Sequence, residues 1–189
     1  MSSFLANGRM VEEVHKLDSQ FVRQRQLSTM EHIVQAGTGN IDFTAYLRYL
    51  ETVREQLPAH VHAFASNPRH FDLTSHSSLH DAWLESLNLA EVGSGERAEN
   101  RSLEIAITLL GPFHDRRIHL RYAGVTSYSC MVPPPEGAEG AGQGNGDLFT
   151  HEVRLGRDGL LVHEILFVRG TTIRIECADF RHSEEMLPE

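Results

Sequence analysis

The feature that most constrains the fold is an alternation of inward and outward residue types that recurs along the second half of the chain. Four segments carry it, and their inward positions are Leu103, Ile105, Ile107 and Leu109; Ile118, Leu120 and Tyr122; Phe149, His151, Val153 and Leu155; and Ile173, Ile175 and Cys177. Because successive side chains of a β-strand point to opposite faces, a period of two predicts strands with one face against a core.

Two further segments complete a sheet of about six strands. Residues 160–168 are apolar in both phases except at His163 and Glu164, which predicts a central strand covered on both sides. Residues 79–89 are a further strand, although the spacing of their apolar residues would also suit a helix. Between the strands, Asp158 and Gly159 predict a tight turn with positive φ, and Gly170 serves the next connection.

The first third of the chain has a helical period instead. Apolar residues recur at helical spacing over residues 10–36, as one long helix or two. Asp42 stands where an N-cap is expected, ahead of a second helix that runs to Leu57. Pro58 kinks that helix or starts another one over residues 59–65, because proline has no N–H to donate and fits best in a first turn.

These patterns predict an α+β protein in which an N-terminal helical hairpin accompanies an antiparallel sheet of about six strands. Residues 1–70 form the helical region, residues 71–182 the antiparallel β domain, and residues 183–189 a tail. Within the β domain, residues 132–146 are rich in glycine and proline and have too little apolar surface to offset the entropy of ordering. We expect a flexible loop there.

Composition excludes some classes of partner. Seventeen basic residues against twenty-six acidic ones give a net charge of −9, which disfavours binding to nucleic acid and to anionic membranes. No stretch approaches the ~20 apolar residues that a membrane span needs. Cys130 and Cys177 lie far apart and outside any CxxC pattern, which favours reduced thiols. We therefore expect a cytoplasmic protein.

No catalytic residue and no cofactor are predicted, because the chain has neither a G-x-S-x-G nucleophile motif nor a P-loop. Histidines are dense over residues 60–81, and His76, His80 and Asp81 offer ligand types that zinc accepts. A metal-binding protein or metal-dependent enzyme that uses this segment is therefore one hypothesis. The alternative is structural: the carboxylate of Asp81 accepts backbone amides and orients the imidazole of His80.

The outward strand positions carry mixed charge, which suits a charged protein partner. Arg121, Glu152 and Arg154 are outward in the predicted strands, and Asp115 lies in a hairpin loop. These four residues are the predicted partner-binding residues. Cross-strand ion pairs and a solvated loop tip are the structural alternatives. Trp83, the only tryptophan, is predicted in the core rather than at an interface.

Three segments resemble a known group of proteins: residues 78–87 (SLHDAWLESL), residues 105–109 (IAITL) and residues 117–125 (RIHLRYAGV). They resemble small β-rich bacterial proteins, some of which look like immunity proteins of polymorphic toxin systems. The likeness spans residues 79–182 and departs at the helical third and at the glycine-rich insertion. It implies a non-enzymatic protein that occludes the active site of a toxin, and the acidic balance of the chain favours a basic toxin. A scaffold or oligomerisation module built on the N-terminal helices is a third hypothesis.

Overall fold

The structure is a computed structural model and describes residues 30–36, 40–134 and 144–188. In chain order its elements are β1 (Val34–Ala36), β2 (Asn40–Asp42), α1 (Thr44–Val53), α2 (Ala59–Ala65), a 3-10 turn (Pro68–His70), β3 (Trp83–Ser94), β4 (Asn100–Leu110), β5 (Arg116–Met131), β6 (Leu148–Leu155), a second 3-10 turn (Arg157–Gly159), β7 (Leu161–Phe167) and β8 (Thr172–Met186). Residues 10–29 of the predicted first helix and residues 135–143 of the glycine-rich loop lie outside the described residues.

The predicted α+β class is confirmed. Six strands form one sheet in the order β3-β4-β5-β8-β7-β6, and every neighbouring pair is antiparallel. The order follows from the connections, because β3, β4 and β5 form a meander, as do β6, β7 and β8, and the two meanders join where β5 pairs with β8. Asp158 and Gly159 have φ of 57° and 76°, as the turn between β6 and β7 requires.

The start of the described chain differs from the prediction. Val34–Ala36 is a short strand that pairs antiparallel with Asn40–Asp42, and residues 30–33 are not helical either, so the predicted helix over residues 10–36 is wrong at every described residue, 30–36. Val34 is β-branched and 57% exposed, so it does not belong to the buried face of a helix. The N-cap of α1 is Phe43 rather than Asp42, and it makes no side-chain capping bond, although the carboxylate of Asp42 accepts from the amide of Thr44 at 2.8 Å. Pro58 is the N-cap of α2.

The sheet curls so that the residues just before β3, its first strand, meet the start of β6, its last strand. The amide of Asp81 donates to the carbonyl of Leu148 at 2.9 Å, and the amide of Leu148 donates to the carbonyl of Ala82 at 2.8 Å. The residues that lead into β3 therefore pair with the start of β6, at the opposite end of the strand order. The curled sheet encloses Phe64 of α2, whose ring centroid lies 4.8 Å from that of Phe180 on β8.

The strand β8 is longer than the alternation predicts. It continues to Met186, and residues 183–186 pair with β5, so the predicted tail at 183–189 is wrong over its first four residues. The prediction stops early because the buried phase of β8 changes between Cys177 and Phe180. The change lies opposite Gly124 of β5, which has φ of 60° and where an added Cβ would lie 2.9 Å from the Cβ of Ala178.

The strand β7 is buried on both faces, as expected, but it is the fifth strand of six rather than a central one. Its outer neighbour β6 forms an edge of the sheet, and α1 covers that edge. The hydroxyl of Tyr46 donates to the carbonyl of Val153 at 3.0 Å and accepts from the same residue's amide at 2.9 Å. The hydroxyl of Tyr49 accepts from the amide of Leu155 at 2.8 Å. Backbone groups that an edge strand would leave unpaired are thereby satisfied.

Candidate functional site

Four buried or partly buried histidines surround Phe64 inside the curl of the sheet. The centroid of the Phe64 ring lies 4.5 Å from His70, 5.0 Å from His182, 5.5 Å from His151 and 6.0 Å from His163. The four come from different elements: the 3-10 turn, β8, β6 and β7. We call this set the histidine cluster. Its members lie far apart in the sequence, so no local sequence motif predicts it.

Two members of the histidine cluster form a chain of hydrogen bonds with a tyrosine. The hydroxyl of Tyr122 lies 2.8 Å from Nδ1 of His163, and Nε2 of His163 lies 3.2 Å from Nδ1 of His151. All three residues are at least 99% buried. Nε2 of His151, the last atom of the chain, has no hydrogen-bond partner among the described residues.

Burial keeps these imidazoles neutral. Desolvation lowers the pKa of His163 to about 3 and that of His70 to about 4, and it also places the pKa of His151 well below the ordinary value. Desolvation also lowers the pKa of His182. A neutral imidazole is the form that binds a metal ion or accepts a hydrogen bond. At physiological pH the histidine cluster therefore has lone pairs and N–H groups rather than positive charge.

One part of the histidine cluster has the composition of a metal site. His70, His182 and Glu184 each place one possible ligand atom so that all three atoms lie within 4.8 Å of one another. Nδ1 of His70 lies 2.9 Å from the carbonyl of Phe64, and a hydrogen bond on one ring nitrogen orients a histidine that binds a metal through the other. Oε2 of Glu184 accepts from Arg116 at 2.7 Å and from Ser77 at 3.1 Å, and these bonds fix the position of the carboxylate.

The predicted ligands His76, His80 and Asp81 do not form such a group of three. Residues 76–81 form turns, and Nδ1 of His76 pairs with Asp115 at 2.8 Å instead of turning toward His80. His80 and Asp81 are close, with 2.9 Å between Nδ1 and Oδ1. In the described ranges His70, His182 and Glu184 are the one group of three possible ligands, and only His70 belongs to the histidine-rich segment 60–81.

Two of the predicted partner-binding residues lie at the surface. The carboxylate of Asp115 accepts from Arg116 at 3.0 and 3.1 Å, and these bonds, with the contact to His76, lower its pKa to about 2. Arg121 is exposed on the outer face of β5 and makes no ion pair with any described residue. It shares a shallow groove of about 150 Å³ with Asn88, Ala90, Glu104, Ala106 and Arg181.

The other two, Glu152 and Arg154, are buried, so the expectation that they lie on an exposed face, where a partner could bind them, is wrong. They are 0% and 5% exposed. Glu152 accepts from the amides of Glu31, His32 and Ile33 at 3.1, 2.9 and 3.0 Å. Arg154 lies 2.5 Å from Glu164, 3.0 Å from Glu31 and 3.4 Å from Glu152. Residues 31–33 cover a face of β6 that the alternation assigns to solvent, so these charges hold the start of the described chain to the sheet.

The other sheet edge, β3, is open. All twelve of its residues are exposed or partly exposed, and it has no backbone ladder on its outer side among the described residues. Trp83 is 48% exposed and meets the ring of His114 edge to face at 4.5 Å, so its predicted place in the core is wrong. Leu87 and Leu89 are 39% and 49% exposed although they pair with the buried residues Ile107 and Ile105 of β4.

Comparison with known proteins finds no matching family model, no matching curated protein and no matching solved structure. Across the parts of the chain that the structure describes, α1 and α2 are too short to cross a membrane.

Proposed function

We propose that this chain is a non-enzymatic protein-binding protein of the cytoplasm, most concretely an immunity protein that neutralises a basic toxin by covering its active site. The observation that carries the proposal is the contrast between the two edges of the sheet. Tyrosines of α1 satisfy the backbone of β6, whereas β3 leaves a twelve-residue edge unprotected. An unprotected edge strand is a template for a strand of another protein.

The side chains along β3 support the same function. Trp83, Leu87 and Leu89 supply exposed apolar surface of the kind that forms the centre of an interface. The β3–β4 hairpin, residues 83–110, contains five glutamates and two arginines and therefore carries a net charge of −3. A basic partner would be attracted to this hairpin. The loop that contains Asp115 lies beside it, because His114 contacts Trp83.

Growth rescue tests the proposal. The chain is coexpressed with the product of the adjacent reading frame, and we expect restored growth and a complex that survives size-exclusion chromatography. The variant L87D/L89D places two charges on the β3 surface, and we expect at least tenfold weaker binding and loss of rescue.

The matched control is L47D, because Leu47 is 46% exposed on α1, away from β3. Thermal unfolding of both variants tests whether they fold. The proposal is wrong if the unmodified chain neither rescues growth nor forms a complex, or if L87D/L89D rescues as well as L47D does.

A metal-binding function is the second candidate, and the close approach of His70, His182 and Glu184 favours it. Two imidazoles and a carboxylate form a ligand set that zinc uses in catalytic sites. We expect protein purified without an affinity tag to contain about one zinc per chain, and a chelator to lower its unfolding temperature. His182→Asn should lose the metal, whereas His76→Asn should retain it. Less than a tenth of an equivalent, with no effect of chelator, would exclude this function.

A further inference from the structure

The long strand β5 has a neighbouring strand on each side for only the first part of its length. Its residues 117–122 pair with β4, whereas its pairing with β8 extends from Arg116 to Met131. The strand β4 continues in the same direction, but its residues 100–104 pair with β3 alone among the described residues. Beyond Tyr122 the two strands therefore separate, and β5 becomes an edge of the sheet.

The strands separate at a bend in β5. Gly124 has φ of 60°, a conformation that glycine adopts without strain, and the buried phase of β5 changes there between Tyr122 and Val125. Glu104 and Ala123 line the shallow groove of about 150 Å³ at the point where β4 and β5 part. After the bend all of residues 126–131 are exposed. We call these six residues the β5 edge.

The β5 edge has none of the residues that protect a natural edge strand. Lysine, other charged residues and proline usually block the pairing of an exposed edge with another chain. The sequence of the β5 edge is TSYSCM, and the chain carries no charged residue between Arg121 and Glu136. Arg174 and Glu176 lie opposite the β5 edge on β8 and bond to each other at 3.4 Å. The surroundings of the β5 edge therefore favour pairing with another strand that has no charge.

This absence of charge selects a second copy of the chain as the partner. In a two-fold dimer each strand edge meets the same segment of the other copy, so every charge on the edge faces charges of its own sign. Self-pairing of β3 would bring together two hairpins of net charge −3. Self-pairing of the β5 edge has no such cost, and a charged partner would gain no attraction from it.

The side chains of the β5 edge also suit pairing with their own copies. Tyr128 pairs with the buried Ile175, and Cys130 pairs with the buried Ile173, so both side chains lie on the inner face of the sheet. A two-fold axis perpendicular to the sheet keeps this face common to both copies. Tyr128, which is 50% exposed, then lies opposite Tyr128 or Cys130 of the second copy, and such cross-strand contacts stabilise a sheet.

We propose that two copies of this chain associate through their β5 edges in antiparallel register. The strands β6, β7, β8 and β5 of each copy then form one continuous sheet across the dimer. Six residues a side are fewer than the ~20–30 of a standard interface, so the dimer is reversible and depends on concentration. The interface uses no residue of β3, so the proposal goes beyond the protein-binding function and leaves β3 free.

Sedimentation velocity of the full chain under reducing conditions tests the proposal. We expect a monomer–dimer equilibrium with a Kd on the order of 10–100 µM. The variant S127K/S129K places two lysines on the β5 edge, where they face those of the second copy, and we expect at least ~tenfold weaker association. The matched control A45K/T52K adds the same charge at exposed positions of α1 and should associate as the unmodified chain does. Thermal unfolding tests whether both variants fold.

Cross-linking through Cys130 locates the interface. Cys130 is exposed, whereas Cys177 is buried and burial raises the pKa of its thiol to about 12, so a maleimide reacts at Cys130. Antiparallel pairing centred on Tyr128 or Ser129 places the two Cys130 Cα atoms ~8–15 Å apart, within reach of a bismaleimide with a six-carbon linker. We expect a cross-linked dimer of the unmodified chain and of A45K/T52K, much less of S127K/S129K, and none of Cys130→Ser.

Three results would each overturn the proposal. The first is a chain that stays monomeric at ~200 µM. The second is S127K/S129K that associates and cross-links as A45K/T52K does. The third is a dimer that L87D/L89D disrupts and S127K/S129K does not, because the interface would then lie on β3.

Discussion

At the scale of single residues, the most informative case is the buried pair Glu152 and Arg154. Burial of two charges is costly unless hydrogen bonds compensate. Removing one partner of a buried ion pair destabilises the fold more than replacing both partners by apolar residues, because it leaves an unpaired buried charge. Here three backbone amides bind Glu152, and Glu164 and Glu31 bind Arg154. The geometry is therefore sensitive to small changes, which makes it testable by a nearly isosteric substitution.

We expect Glu152→Gln to lower the free energy of unfolding by about 2–4 kcal/mol. The new amide group would place its own N–H donors against the donors of residues 31–33, and Arg154 would lose one of its buried counter-charges. Urea unfolding measures the effect. Glu104→Gln on the exposed groove is the matched control and should change the free energy by less than about 0.5 kcal/mol. Equal stability of the two variants would contradict this account of the buried pair.

At the scale of elements, the sequence predicts strands better than it predicts what covers them. The alternation around Ile105 and Ile175 identifies strands because one face of each meets the core. It misplaces Glu152 because a separate segment, residues 31–33, covers the second face of β6, and that contact joins residues about 120 positions apart. The local pattern contains no information on such coverage.

The same limit applies to the histidine cluster. The inward position of His151 beside Val153 in the alternation was a signal that it would be buried. Nothing in the sequence joins it to His70 or His182, because the curl of the sheet brings those residues together. The predicted set around His76 relied on spacing along the chain, and spacing does not report which side chains a curled sheet brings into contact.

The tyrosines of α1 that bond to the backbone of β6 can be tested by removing their hydroxyl groups. Tyr46→Phe removes the hydroxyl that serves both backbone groups of Val153 and leaves them buried without partners. We expect a loss of roughly 2–3 kcal/mol in the free energy of unfolding and faster hydrogen exchange of the Val153 amide. Tyr49→Phe should cost less, because Tyr49 is only partly buried and serves one amide. Tyr128→Phe, at an exposed site, is the control. Unchanged exchange at Val153 in the Tyr46 variant would count against edge protection.

At the scale of the whole molecule, the buried histidines connect the stability of the fold to pH. Each has an ordinary pKa of 6.5 when unfolded, whereas the folded protein lowers that of His70 to about 4 and that of His163 to about 3. Below pH 6.5 the unfolded chain therefore binds more protons than the folded chain. Acidification then favours unfolding, and the loss continues until the pH falls through the folded values. Carboxylates with lowered pKa values, such as Asp115, contribute mainly below pH 4, so the window from pH 6.5 to 4 reports chiefly on histidines.

We expect the free energy of unfolding, from urea titrations, to fall by on the order of 2–4 kcal/mol between pH 7 and pH 5, because each group loses roughly 1.4 kcal/mol per pH unit below 6.5. His163→Gln should have a shallower slope over this range whatever its stability at pH 7, since one of the buried histidines with a lowered pKa is removed. Leu47→Gln is the control, because Leu47 is 46% exposed on α1 and neither side chain carries a titratable group, so its slope should match that of the unmodified chain. A free energy that does not change from pH 7 to pH 5 would mean that these imidazoles are not neutral in the folded protein. The hydrogen-bond chain from Tyr122 to His151 would then lose its basis, because protonated rings have no free lone pairs to accept those bonds.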